Sequence, residues 1–479
     1  MRELLLLMML SGRIFAAEPC PFLDKISKPG LENAMWGLSV RDAATGKEIA
    51  ACDNTRNLIP ASIMKLFVTA AALDSFGPGA RFKTRVYLNG TVGDGVLNGS
   101  VYIRGGGDPS FGSKLIKGAP VLEQEFGKWE QALREAGVAV IKGSITADET
   151  LFEGQPLPGS WAWEDIGNYY AAQPSALSVN DNLYKLYFKP GRKEGDAASV
   201  LRTEPELPGL SFDNFMLTGP ADSGDNAYIF SFPGQYSAVL RGTVPKGPAE
   251  FPVKGAIPDP ALFAARAFAE YLAARGIPSG GISKLEKPMD YGAARFLAET
   301  EGARLKDIVF TTNKRSFNLY AEILLRHLAL AAGKAGTEEN GLAALRAYMA
   351  ESGMDVSELK MDDAAGLSRR NLVQAEDFSL FLAAMSKKPF FGAYADSLVL
   401  PGDPDATGHV KKLGAGTALE KSLRIKSGSL NGVRAYAGYL STKKGKLLVF
   451  TSLLNNYTSA PAEIDKLHEA VLLELHDKY

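Results

Sequence analysis

The sequence predicts an α/β (α+β) fold in which an antiparallel sheet, flanked by helices, is assembled from both ends of the chain around a mainly β insert. Three observations point there. A strand–turn–strand pattern lies beside an apolar helical run near the beginning, and a second strand pair followed by a helix lies at the end. Between them, residues 81–284 read as short β runs cut by Gly, Pro and Asn. With 479 residues the chain has room for about three domains.

Taken in order, Met1-Arg2-Glu3 precede an unbroken apolar stretch, residues 4–10, and then Ser11-Gly12-Arg13-Ile14-Phe15-Ala16-Ala17. This reads as a signal peptide over residues 1–17, cleaved near Ala16 or Ala17, with a buried first helix as the alternative. The apolar stretch is too short to span a bilayer and no later one is long enough, so no transmembrane anchor is expected. A periplasmic or secreted location follows.

The first hairpin runs through Trp36-Gly37-Leu38-Ser39-Val40, turns at Ala44-Thr45-Gly46-Lys47 and returns through Glu48-Ile49-Ala50-Ala51. Pro60-Ala61-Ser62 then opens a helix that continues to Leu73 and stops at Gly77-Pro78-Gly79. It is apolar almost all round, as suits a helix running through a core. In the insert, Thr84 to Leu88 precede a turn signal at Asn89-Gly90, and Ser100 to Arg104 precede Gly105-Gly106-Gly107-Asp108-Pro109; one helical patch, residues 260–275, closes the region. Helical periodicity is expected again from Gly292, over 316–332, and at 342–349 and 375–385. Two strands, 434–440 and 447–452, turn at Lys443-Lys444-Gly445, and residues 461–475 form the last helix.

Composition narrows the function. Hydrophobic residues are 46%, charged residues 22% and the formal net charge is -1, so no global field recruits nucleic acid or an anionic membrane. Cys20 and Cys52 lack the partners of a zinc site. In an oxidising compartment they can pair and tie the N-terminus to the first hairpin; two unlinked thiols are the equal alternative. The four histidines, His327, His409, His468 and His476, form no H-E-x-x-H pair and read as structural or surface groups. No G-x-S-x-G elbow and no phosphate-binding loop is present. No metal and no cofactor is expected, and a homodimer is left open.

Three short motifs carry chemistry. In Ser62-Ile63-Met64-Lys65, residues three apart at a helix start share a face, so the amine can reach the hydroxyl. Free N–H groups there can stabilise an oxyanion. The lysine serves as a base only if burial and a second cation lower its pKa, and Lys426 is the candidate cation. The S-x-x-K pattern recurs at Ser357 to Lys360 and Ser441 to Lys444, but in polar surroundings. The second motif is Ser316-Phe317-Asn318, ahead of an apolar helix. Ser178-Val179-Asn180 and Ser429-Leu430-Asn431 are rival matches. The third is Lys426-Ser427-Gly428-Ser429 on a strand, where the small Gly428 would admit substrate backbone.

The order S-x-x-K, S-x-N, K-S-G is that of penicillin-binding proteins and class A β-lactamases. With Pro60 to Leu66, Gly106-Gly107-Asp108-Pro109-Ser110, Trp161-Ala162-Trp163-Glu164-Asp165, residues 176–182 and Gly366-Leu367-Ser368-Arg369, the chain resembles the class C low-molecular-mass penicillin-binding proteins, the D-alanyl-D-alanine carboxypeptidase/endopeptidase family. More than half the chain separates Lys65 from Ser316, matching that family's insertion and not the compact β-lactamases. The resemblance covers essentially all of the chain after the signal segment. It implies a penicillin-binding/β-lactamase-like transpeptidase domain from residues 18–80 and 285–479, a discontinuous serine DD-peptidase domain. The insert would hold two subdomains, 107–187 nested within 81–106 and 188–284.

The resemblance also implies roles. Ser62 attacks the D-Ala-D-Ala carbonyl of peptidoglycan peptides with Lys65 as base, and β-lactam antibiotics acylate the same serine. Ser316 relays a proton to the leaving D-alanine, Asn318 positions substrate, and Lys426 supplies positive potential. The Ser427 and Ser429 hydroxyls bind the terminal carboxylate, with Gly428 between them. Ser427 stands where threonine is commoner in the family and keeps the hydroxyl. Asp165 and Arg369 match segments that hold the amine and carboxylate of a meso-diaminopimelate side chain in relatives, and Tyr170 would line the same pocket; a structural salt bridge is the plainer reading of those charges. Carboxypeptidase and endopeptidase activity both stay open. A β-lactamase or esterase, or a non-catalytic peptidoglycan-binding scaffold, are the competing functions.

Overall fold

The computed structural model describes residues 20–26 and 28–479. The signal peptide expected over residues 1–17 lies outside the described residues.

Both chain ends build one five-stranded antiparallel sheet. Strands β1 (Met35–Asp42), β2 (Glu48–Cys52), β3 (Leu423–Leu430), β4 (Val433–Ser441) and β5 (Leu447–Asn455) lie in the order β3-β4-β5-β1-β2. Alternation along each strand sends neighbouring side chains to opposite faces. Trp36, Leu38, Val40, Tyr436, Leu440, Phe450 and Leu454 pack under the C-terminal helix α5 (Pro461–Lys478), whose Ile464, Leu467 and Val471 complete that layer. Ala435, Ala437, Tyr439, Val449 and Leu453 face the other side.

That side holds α1 (Lys65–Phe76), α2 (Leu305–Lys314), α3 (Asn318–Ala331) and α4 (Ala375–Met385). Residues 65–73 are all buried, so α1 runs through the core as its all-round apolarity predicts. Phe67 packs against Phe378 and Phe381 of α4, with ring centres 4.3 and 4.8 Å apart. Cys20 and Cys52 form a disulfide, the first of the two open readings, which fastens the N-terminal segment to β2.

The insert differs from expectation in four respects. Strand Lys83–Gly93 runs through Asn89-Gly90, where a turn was expected: Gly90 pairs with Gly99, and a β-carbon on either would strike the opposite backbone. A second helix, Leu122–Glu135, accompanies the expected one at Pro260–Ala273. Arg295–Glu301 is a strand paired with Lys83–Gly93, although helical periodicity was expected from Gly292. Val140–Asp148 pairs with Val96–Arg104 and Ser279–Lys284 inside the same five-stranded sheet, so the 107–187 segment is not spatially separate from 81–106 and 188–284.

Candidate active site

The nucleophile turn is a 3-10 helix, Ala61–Met64, rather than the first turn of an α-helix. At three residues per turn, side chains i and i+3 eclipse one another. Lys65 Nζ accordingly lies 2.9 Å from Ser62 Oγ and also donates to the Ala365 carbonyl. Ala61, with φ of 48°, enters the turn from the left-handed region, a conformation that its β-carbon disfavours.

Burial pushes the Lys65 amine down from its ordinary value to about 7, against the opposing pull of Asp363 and Glu322. Of the two expected causes burial acts here, and the Lys426 charge is not among the causes of the shift. Lys426 is itself held well below its ordinary value, by burial first and by Lys65 second.

Lys426, on β3, donates to Ser316 Oγ at 2.9 Å and to the Ser427 carbonyl at 2.7 Å. Ser316 sits in the bend between α2 and α3 with φ of 56°, another strained backbone at the site. Asn318 begins α3 and donates to the Tyr170 carbonyl at 2.7 Å, joining the helix to the insert. The rival Ser178 donates to the Ser175 carbonyl and accepts from Asn182, inside the insert.

Gly428 has a packing role that the sequence did not announce. A β-carbon there would stand 2.6 Å from the Pro60 carbonyl oxygen and 2.9 Å from the Ser62 nitrogen, so glycine lets β3 lie against the nucleophile turn. Ser429 is exposed, and its hydroxyl accepts from Arg434 at 2.8 Å. Arg434 is in turn held by Asp465 through two bonds of 2.7 and 2.9 Å.

Asp165, Tyr170 and Arg369 gather at one side. Desolvation pushes the Asp165 carboxyl up, while the Tyr170 hydroxyl and the Arg369 charge pull it down. Arg369 donates to the Asn431 carbonyl at 2.8 Å, beside the β3–β4 turn. Among the described residues Asp165 and Arg369 form no direct ion pair, contrary to the plainer reading, and Arg369 acts on Asp165 through its charge alone.

Sequence reasoning passed over the groups beneath the site. Asp363 is fully buried and accepts from Trp161 Nε1, the amides of Gly366, Leu367 and Ser368, and Asn371 Nδ2. It shapes the loop that carries Ala365. Glu322, also fully buried, accepts from the Ala364 and Ala365 amides. A lone acid in the apolar run of α3 was the available signal.

An amine that can be uncharged near neutrality, within reach of a serine hydroxyl, meets the requirement for acyl transfer to serine; on this fold it defines a serine-type peptidase. The chain belongs to the D-Ala-D-Ala carboxypeptidase 3 (S13) family, whose pattern matches residues 23–475. It is 30% identical over 460 residues to a D-alanyl-D-alanine carboxypeptidase of Actinomadura sp. (strain R39), spanning 94% of this chain and 82% of that one. Against D-alanyl-D-alanine carboxypeptidase DacB of Haemophilus influenzae it is 22% identical, spanning 90% and 88%. The crystal structure of penicillin binding protein 4 (dacB) from that organism superposes with a TM-score of 0.79 at 19% identity, covering 95% of this chain and 98% of that one. The same protein has been solved complexed with a β-lactam, with a TM-score of 0.75, 18% identity and the same coverage.

Proposed function

We propose that this serine-type D-Ala-D-Ala carboxypeptidase cleaves peptidoglycan stem peptides through an ester on Ser62. One observation carries the assignment of residues: Ser62 and Ser316 each lie 2.9 Å from a buried lysine amine, Lys65 and Lys426 respectively. Neutral Lys65 takes the Ser62 proton as Oγ bonds to the carbonyl carbon of the penultimate D-alanine. The peptide C–N bond breaks, and the departing D-alanine nitrogen receives a proton relayed through Ser316. Water then adds to the ester, Lys65 accepts its proton, and the C–O bond to Ser62 breaks as Lys65 returns that proton to Oγ. The products are the shortened peptide carboxylate and the free serine.

The Ser62 and Ser429 amides serve as the oxyanion hole, supported by the close approach of β3 to the nucleophile turn at Gly428. Asn318 positions the peptide, and Ser427 and Ser429 hold the terminal carboxylate near Lys426. Asp165, Tyr170 and Arg369 provide opposite charges and a phenol for a zwitterionic side chain of the stem peptide. Residues 18–80 and 285–479 constitute the peptidase unit, with Arg295–Glu301 lent to the insert's sheet. A β-lactam, whose amide carbonyl mimics the scissile one, acylates Ser62. A periplasmic or secreted location suits a peptidoglycan substrate and is supported by the Cys20–Cys52 disulfide. Among the described residues no helix is long and apolar enough to cross a membrane.

Labelled penicillin followed by mass spectrometry tests the assignment. A persistent adduct on Ser62, absent in Ser62→Ala, is expected, together with D-alanine release that S62A abolishes while its unfolding transition is retained. Rapid turnover of the adduct would mark a β-lactamase, and no adduct at any concentration a scaffold.

A further inference from the structure

We propose that Glu322 is the positioning residue for the Lys65 base: it braces the Ala364–Ala365 backbone that receives the amine and sets the charge beneath it. The inference rests on the acyl-enzyme reading above. Glu322 lies one turn after Asn318 on α3 and is 0% exposed. Its Oε1 accepts the Ala364 amide at 2.9 Å and the Ala365 amide at 2.8 Å. The carbonyl of the same Ala365 accepts from Lys65 Nζ. One carboxylate oxygen thus fixes the backbone that orients the amine toward Ser62.

The other oxygen is unusual. Glu322 Oε2 is buried and has no hydrogen-bond partner among the described residues. Arg326 Nη1 stands 3.9 Å away, beyond hydrogen-bond distance, and its guanidinium donates to the carbonyls of Glu322 and Gln155. A buried carboxylate oxygen without a donor is rare unless it has a use.

The charged groups around the pair are few. Asp363 and Glu322 face Lys65 from below, and Lys426 faces it across the site. Asp363, Arg326 and Glu338 face Glu322. Asp363 is occupied by its five donors, whereas Glu322 has an open oxygen to take a proton. Burial, then Asp363, pushes the Glu322 carboxyl up to about 8. A charged Glu322 favours the Lys65 ammonium, and a neutral one favours the free base.

The test is the rate of Ser62 acylation by a chromogenic penicillin across pH, for the wild type and E322Q. Gln keeps the acceptor for the two amides and removes the charge. Its profile should follow the wild type's below about pH 8, where Glu322 is already neutral, and rise above it at higher pH, where the wild-type carboxylate favours the ammonium. A folded E322Q whose profile overlays the wild type overturns the electrostatic part. E322D keeps the charge but shortens the reach. It should slow the acylation step at least about tenfold, with penicillin affinity within about twofold. A folded E322D that acylates at the wild-type rate overturns the bracing. If the wild type itself is not acylated at any pH, the acyl-enzyme reading fails instead.

Discussion

Gly428 and Ser62 belong to different ends of the chain, yet the space for a β-carbon on Gly428 ends 2.9 Å from the Ser62 amide nitrogen. The contact couples the nucleophile turn to the strand that carries Lys426. Close approach of this kind leaves no room for even one methyl group.

Gly428→Ala should therefore separate β3 from the turn. Overpacking of a well-packed site costs about 1–3 kcal/mol of stability, readable as a lower denaturant midpoint. The larger effect falls on chemistry, because misplacing reacting groups by about 1 Å can cost about a hundredfold in rate. Penicillin acylation of G428A should fall by at least about tenfold; unchanged acylation would mean that the strand yields without moving Lys426.

The proposed catalytic pairs were legible because each has a local signature. Lys65 stands in an apolar run where a solvated lysine has no place, and Lys426 precedes two small residues on a strand. Other features exist only through distant partners. Gly90 reads as a turn until Gly99 is set across from it. Arg295–Glu301 becomes a strand by pairing with Lys83–Gly93. Helix Leu122–Glu135 shows only the narrow stripe of Phe126, Trp129 and Leu133 against polar neighbours. Asp363 and Glu322 gain their meaning from one loop folding over α1, which no local pattern announces.

The pH dependence of acylation follows from Lys65. Its free amine is the active form, and burial places its pKa at about 7. The rate should rise through that region and level off above it, far below the range of a solvated lysine. Lys426→Gln removes the donor to Ser316 and to the Ser427 carbonyl, and because the Lys426 charge is not among the causes of the Lys65 shift the rise should stay near its wild-type pH. At pH 7 the variant should acylate at least about tenfold more slowly. A rise in K426Q displaced by a full pH unit or more would show that Lys426 is charged while Lys65 titrates.

Arg434 presents Ser429. Its Nη1 donates to the hydroxyl oxygen, which leaves the Ser429 proton free to meet a carboxylate, and Asp465 anchors the guanidinium. Arg434→Ala should raise the KM for a D-Ala-D-Ala peptide by about tenfold, the worth of one charge-assisted contact, with a smaller effect on kcat. It also leaves Asp465 without its cation, at a cost of about 3 kcal/mol. R434K should recover part of the stability but not the forked geometry. A KM unchanged in folded R434A would remove Arg434 from substrate binding.

Acid should destabilise the protein through His327. The imidazole is buried, stacks on Phe82 at 3.8 Å and contacts the Gly107 carbonyl through Nε2 at 2.8 Å. Burial pushes its pKa down from 6.5 to about 4. Between those values the unfolded chain binds a proton that the folded one refuses, so stability is full above about pH 6.5 and declines as pH falls toward 4. By pH 5 the loss from this group amounts to about 2 kcal/mol. His468, also lowered to about 4, adds in the same direction. Asp108 opposes it: burial raises its carboxyl to about 6, and the resulting penalty is relieved as pH falls below that value. The single histidine is isolated by His327→Gln, which keeps a donor for Gly107 and cannot titrate. Denaturant unfolding of H327Q should show lower stability at pH 7, from the lost stack, but a pH 7-to-5 decline smaller than the wild type's by about 2 kcal/mol. Equal declines in the two proteins would show that His327 is not kept neutral by its burial.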